Sequence, residues 1–173
     1  DAVARAVEDL RREGTLGFDT ETTELDPYKG RLRLVQLSTG RSTYVFDVYK
    51  LGEDSRTAAE LSPLRELLED AAVRKVAHNA KFDLLWLRNK LGLRASKVFC
   101  TLTAARLLSA GTKPGNDLDK CLHRYLGVPP APDHSRSDWG SMLLTDDQFA
   151  YAARDVAHLH ELAAKLRGEL ELE

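Results

Sequence analysis

The stretch Thr15-Leu16-Gly17-Phe18-Asp19-Thr20-Glu21-Thr22 decides how this chain is read. Thr15 to Thr20 reads as a first strand. It follows Gly14, which ends an amphipathic helix over residues 2–13 with Val3, Ala6, Val7 and Leu10 on its apolar face. Alternate side chains of a strand share a face, so Asp19 and Glu21 emerge together while Thr20 points away. An acidic pair at a strand end is usually just solvated. What makes this pair informative is its company further along.

Leu32 to Ser38 has the period-two pattern of a second strand, and Thr43 to Val48 follows a turn at Gly40, giving an antiparallel meander. Residues 57–70 then read as a helix, 75–77 as a short buried strand, 80–91 as a strongly apolar helix and 98–100 as a fifth strand. Thr101 is placed to cap a helix running to Leu108. K-P-G-N at 113–116 breaks the chain, a helix reaches Tyr125, and P-P-A-P at 129–132 forbids regular structure. Thr145 and Gln148 have capping-box spacing for one last helix ending near Leu166. Strands first and strand–helix alternation afterwards imply an α/β fold. Its sheet is mixed and five-stranded, a meander plus parallel strands, flanked by helices.

Asp83 falls in the first turn of the apolar helix. Asp155 lies four residues after Tyr151, so those two share a helix face. Three elements thus carry four carboxylates towards one place, where they would repel one another unless neutralised. Magnesium suits such a set because it keeps waters and substrate oxygens among its ligands. Two such ions roughly 3.5–4 Å apart suit in-line phosphodiester cleavage. Taken singly, each residue has a plainer account. The helix dipole favours Asp83, Asn79 is its N-cap, Tyr151 is a packed aromatic, and Asp155 and Arg154 are solvated. Together, in this order and spacing, the acids and Tyr151 outweigh those accounts.

The composition is 43% apolar and 30% charged, that of one soluble globular domain spanning residues 1–173. A chain opening on Asp1 is expected to be excised from something longer. No apolar run approaches the roughly 18 residues of a membrane span, and no membrane partner is expected. Cys100 and Cys121 have no metal-ligand spacing, which suits a reducing cytoplasm. The formal net charge of −2 provides no basic coat for nucleic acid, but two divalent cations would more than offset it.

F-D-T-E-T with Asp19 and Glu21, H-N-A-K-F-D with Asp83, and Y-A-A-R-D with Tyr151 and Asp155 resemble the three exonuclease motifs of the DEDD superfamily. Ala150 stands where the histidine branch has its histidine, so the resemblance is to the tyrosine branch. It runs from about Leu16 to Leu166 and implies a ribonuclease H-like fold with 3′–5′ exonuclease activity, as in ribonuclease D and the proofreading domains of family-A DNA polymerases. It implies two divalent cations, Mg2+ or Mn2+. Asp19, Glu21 and Asp155 would hold the one that binds the attacking water, and Asp19 with Asp83 the other. Tyr151 would orient that water and help deprotonate it. The candidate substrate contacts are Thr20, Leu25 against the terminal base, Asn79 near the scissile phosphate, and Arg136 of R-S-D-W on a phosphate.

The implied partner is a single-stranded 3′ end in the cytoplasm, released residue by residue as nucleoside 5′-monophosphates. D-T-E-T-T-E-L-D-P resembles the polymerase motif, which favours DNA and an attached polymerase domain. R-L-R-L-V-Q-L-S and R-S-D-W pull towards a ribonuclease D-like activity on RNA, the alternative. Two further rivals are a catalytically inactive nucleic-acid-binding relative and a zinc enzyme using His134, His158 or His160. The histidines lack zinc spacing, and no Gly-rich phosphate loop is present.

Overall fold

The computed structural model describes residues 2–50, 59–110, 112 and 114–172. Helix α1 (Ala2–Arg11) precedes strands β1 (Thr15–Thr22), β2 (Leu32–Ser38) and β3 (Thr43–Asp47). Next come α2 (Ser62–Glu69), β4 (Arg74–Ala77), α3 (Ala80–Leu91), β5 (Val98–Cys100) and α4 (Thr101–Leu108). The chain closes with α5 (Leu118–Leu126), α6 (Asp146–Ala157) and α7 (Leu159–Leu172). The expected start of α2 at residue 57 lies outside the described residues.

The five strands form one sheet in the order β3-β2-β1-β4-β5. β1 and β3 pair antiparallel with β2, and β4 pairs parallel with β1 and β5. The mixed sheet is therefore as expected, with β1 at its centre. Phe18, Val35, Leu37, Leu64 and Trp86 pack between one face and α1–α3. Val76, Val156 and Leu159 fill the other face, while Leu34 meets Trp139 and Ala152 beside them. Each fully buried side chain of this kind contributes about 1.5–3 kcal/mol. Burial on both faces explains why β2 has no exposed position at all.

One register irregularity matters later. Glu21 pairs with Leu34 and Thr22 with Leu32, which leaves Arg33 as an extra residue in β2. Such a bulge bends its strand and re-aims a side chain.

Three local expectations need correction. Cys100, not Thr101, is the N-cap of α4; the Thr101 hydroxyl instead donates to the Ala77 carbonyl at 3.2 Å and lies 2.9 Å from His78 Nδ1. Asn79 occupies the N-cap of α3, but with left-handed backbone (φ 60, ψ 38) and no side-chain cap hydrogen bond. The last helix is two helices, broken at His158. The break lets the chain press on β1 from both sides of the bend: a Cβ on Gly17 would sit 3.0 Å from the Val156 carbonyl and 3.2 Å from Leu159 Cβ. The capping box at Thr145 and Gln148 is formed, with Gln148 N donating to Thr145 Oγ1 at 3.2 Å and Thr145 N to Gln148 Oε1 at 2.9 Å.

Candidate active site

β1 and β4 run parallel and end on the same edge of the sheet, and the chain leaves β4 through His78 and Asn79 into α3. A cleft of about 700 Å³ opens there, floored by Asp19, Glu21, Asp83 and Asp155 and walled by Tyr151 and Trp139. That volume is typical of a small-ligand site. Ligand oxygens of Asp19, Glu21 and Asp155 all lie within 4.8 Å of one another. Among the described residues this is the one group of three or more candidate ligands so close, and it contains no histidine. His160 Nε2 is instead 2.9 Å from the Thr15 carbonyl, and His158 lies beside Glu161. The zinc reading finds no support there.

Asp83 reaches the cluster from the opposite side of β1. Alternation does put Thr20 on the other face from Asp19, but α3 packs on that face. Thr20 is consequently no bystander: its hydroxyl donates to Asp83 Oδ1 at 2.7 Å, and Asp83 is 1% exposed. The Thr20 hydroxyl is thus already committed to a carboxylate while the residue lines the cleft.

Electrostatically the floor is under stress. Burial, then the charges of Asp83, Glu21 and Asp155, hold the Asp19 carboxyl well above its usual range. Burial and the charges of Asp155 and Asp83 push Glu21 up to about 9, against a weak pull from Gln36, whose Nε2 lies 3.4 Å from Glu21 Oε1. Burial raises Asp83 to about 7, although the Thr20 hydrogen bond opposes it. Asp155 is raised to about 6, again by burial, with a hydrogen bond from Tyr151 opposing. The Tyr151 phenol is itself pushed far up by burial and by the charge of Asp155. Buried carboxylates in mutual contact, served by few donors, have the chemistry of a cation site. The donor set is all oxygen, which fits Mg2+ or Mn2+.

The outer residues are placed unevenly. Leu25 lines the cleft and is 85% exposed, so it is no part of the core. Asn79 and Arg136 are exposed on the same walls. Arg154 is not a solvated helix residue; it pairs with Asp119 at 2.9 Å and donates to the Pro129 carbonyl at 3.0 Å. Two cleft residues escaped the sequence reading. His78 bridges Thr101 and the Asn116 carbonyl, both at 2.9 Å. Trp139 is buried with its ring centroid 6.4 Å from that of Tyr151. Their only signal was position, beside Asn79 and at the end of R-S-D-W.

Comparison with known proteins agrees with this geometry. A family described as 3′–5′ exonuclease matches residues 1–171. The chain belongs to that 3′–5′ exonuclease family. It is 34% identical over 170 residues to DNA polymerase I of Aquifex aeolicus, covering 98% of this chain and 26% of that protein. It is 35% identical over 167 residues to ribonuclease D of Gluconacetobacter diazotrophicus, covering 96% of this chain and 40% of that one. The chain therefore spans well under half the length of either relative. Solved structures of Brucella melitensis NrnC are 31% identical and cover 95% of this chain. One with bound Mg2+ covers 77% of its own chain at a TM-score of 0.82, and one bound to pGG covers 76% at 0.83.

Proposed function

We propose that this domain hydrolyses the terminal phosphodiester of single-stranded or frayed nucleic acid 3′ ends, releasing nucleoside 5′-monophosphates. The observation that carries the reading is the cluster of Asp19, Glu21 and Asp155, with Asp83 behind it, at the floor of a cleft walled by Tyr151. Two divalent cations held by these four carboxylates would supply the positive charge and Lewis acidity that phosphodiester hydrolysis demands.

The chain's own residues do the rest. Tyr151 is hydrogen-bonded to Asp155, and its hydroxyl would orient the attacking water. Burial, then the charge of Asp155, raises that phenol further above its already high ordinary value, so proton removal by Tyr151 depends on neutralising the acids first. The water oxygen bonds to phosphorus, the bond to the 3′ oxygen of the penultimate residue breaks, and that oxygen takes a proton. Leu25 offers an apolar surface to the terminal base, which any base can use. Asn79 and Arg136 face the phosphates.

The favoured substrate is DNA, with a polymerase domain attached, because D-T-E-T-T-E-L-D-P resembles the polymerase motif and the polymerase relative covers nearly the whole chain. The alternative, an RNA substrate, is supported by identity to ribonuclease D and by a related nuclease bound to pGG. Matched single-stranded DNA and RNA oligonucleotides, incubated with Mg2+, test the pair. Faster shortening of DNA from the 3′ end supports the first reading. Faster shortening of RNA replaces it with the second, and no shortening of either removes both.

A further inference from the structure

Residues 134–141 form an irregular segment between P-P-A-P and α6, yet they must hold one wall of the cleft. The Tyr151 ring lies between two side chains of this segment, His134 at 5.9 Å and Trp139 at 6.4 Å between centroids. What fixes the segment is buried. Gln148 Nε2 donates to the Asp138 carbonyl at 3.2 Å. Arg33 Nη1 donates to the carbonyls of Trp139, at 3.3 Å, and Ser141.

Arg33 is 0% exposed. Its guanidinium pairs with Asp47 of β3, Nη2 to Oδ2 at 3.1 Å and Nε to Oδ1 at 3.0 Å, and stacks over Tyr49 at 5.1 Å. A regular β2 would send residues 33 and 34 to opposite faces of the sheet. The bulge at Arg33 instead lets its guanidinium reach the segment against which Leu34 packs. A charged group is costly to bury unless it is paired and bonded, and among the described residues the partners of this guanidinium are Asp47 of β3, Tyr49 just beyond it, and the segment before α6.

We infer that Arg33 is a positioning residue for the exonuclease reaction: held by the β2 bulge and Asp47, it clamps the 139–141 backbone so that Trp139 sets the ring of Tyr151. The inference rests on the role of Tyr151 proposed above. Arginine is suited to this because its planar fork addresses Asp47 and two carbonyls at once, which a lysine ammonium cannot do in the same geometry.

The test is a cycle of Arg33→Gln and Tyr151→Phe on a single-stranded oligonucleotide in Mg2+, with Arg33→Lys as a second variant that keeps the charge. Arg33→Gln should lower kcat about tenfold with KM within about twofold, since small misplacements near the chemistry act on turnover. In the Tyr151→Phe background the same change should cost less than about twofold. Arg33→Lys should recover part of the loss at most. Amide exchange over residues 134–145 should quicken in Arg33→Gln, whatever its activity. Equal losses in both backgrounds, or unchanged exchange, overturn the clamp while leaving the Tyr151 role intact. If Tyr151→Phe alone matches the unaltered protein, the Tyr151 role fails and the inference fails with it. Should Arg33→Gln not fold, the same comparisons on Arg33→Lys decide: full activity or equal losses overturn the clamp.

Discussion

At the floor of the cleft four carboxylates, Glu21 and Asp83 buried and Asp19 and Asp155 half-buried, crowd one another; in β4, Lys75 is buried completely but among oxygens. The ammonium of Lys75 donates to the Asp70 carbonyl at 2.7 Å and the Val73 carbonyl at 2.8 Å, and lies 3.5 Å from Ser96 Oγ. It sits within its own ring of oxygens, and the turn after α2 is closed around it. The acids are less well served: Thr20, Gln36, Tyr151 and a few backbone N–H groups donate to them, Arg154 acts on Asp155 from a distance, and beyond these they face one another's charge. A buried charge with its partners in place is structure. A buried charge among its own kind is an invitation to a ligand.

The widest gap between the two regions should open on Asp19→Asn. Cleavage should fall roughly 10³-fold or more, because the proposed cations would lose a shared ligand. In EDTA at alkaline pH the same protein should melt higher than its parent, since one of four carboxyls that repel when ionised is gone. A lower melting temperature in EDTA would show that the cluster is internally satisfied and would falsify the contrast. Next in size is Tyr151→Phe, which keeps the ring between His134 and Trp139 but removes the hydroxyl. Turnover should drop about 10–10²-fold with KM little changed, the scale of one proton-handling group. Steady-state kinetics that find KM moved and kcat constant would make Tyr151 a binding surface only.

Titration sharpens the comparison because the two regions have opposite signs. Asp155, Asp83 and Glu21 titrate near 6, 7 and 9 in the fold, above their ordinary values of 3.8, 3.8 and 4.5. Their contribution is complete below the ordinary values and is lost as pH rises through 6, 7 and 9. Burial lowers Lys75 to about 8 from 10.5, so its contribution is complete above 10.5 and is lost as pH falls through 8. In EDTA the melting temperature should decline from pH 5 to pH 9, and Mg2+ should restore more of it at the higher pH. A profile that Mg2+ shifts equally at both ends would sever stability from the carboxylates. The smallest effect belongs to Lys75→Met. It takes the ammonium donor from the buried Val73 carbonyl and leaves the Asp70 carbonyl with the Val73 N–H alone, a loss of about 1–3 kcal/mol in chemical denaturation, and it should leave cleavage unchanged. Lost cleavage in a folded Lys75→Met protein would mean that the two regions are coupled.

The site was legible in the chain because its chemistry is carried by short, local patterns. Asp19-x-Glu21 needs only strand alternation, and Tyr151 with Asp155 needs only a helical turn. The misreadings share a cause. Alternation rightly puts Thr20 on the face away from Asp19, but a rule for one strand is blind to the helix packed there, so the Thr20–Asp83 hydrogen bond was not foreseen. Asn79 and Thr101 have the right chemistry for caps, but tertiary contacts and an unusual backbone gave them other surroundings.

Local periodicity by itself outlined the strands and the mixed sheet and put the acids forward as candidates, since each follows from spacing along the backbone. Only the tertiary structure decided that Asp83 meets Asp19 across a strand, that the final helix bends over Gly17, and that Arg33 turns towards the segment before α6. Those depend on packing between residues remote in sequence, and on one extra residue in a strand that no alternation reveals.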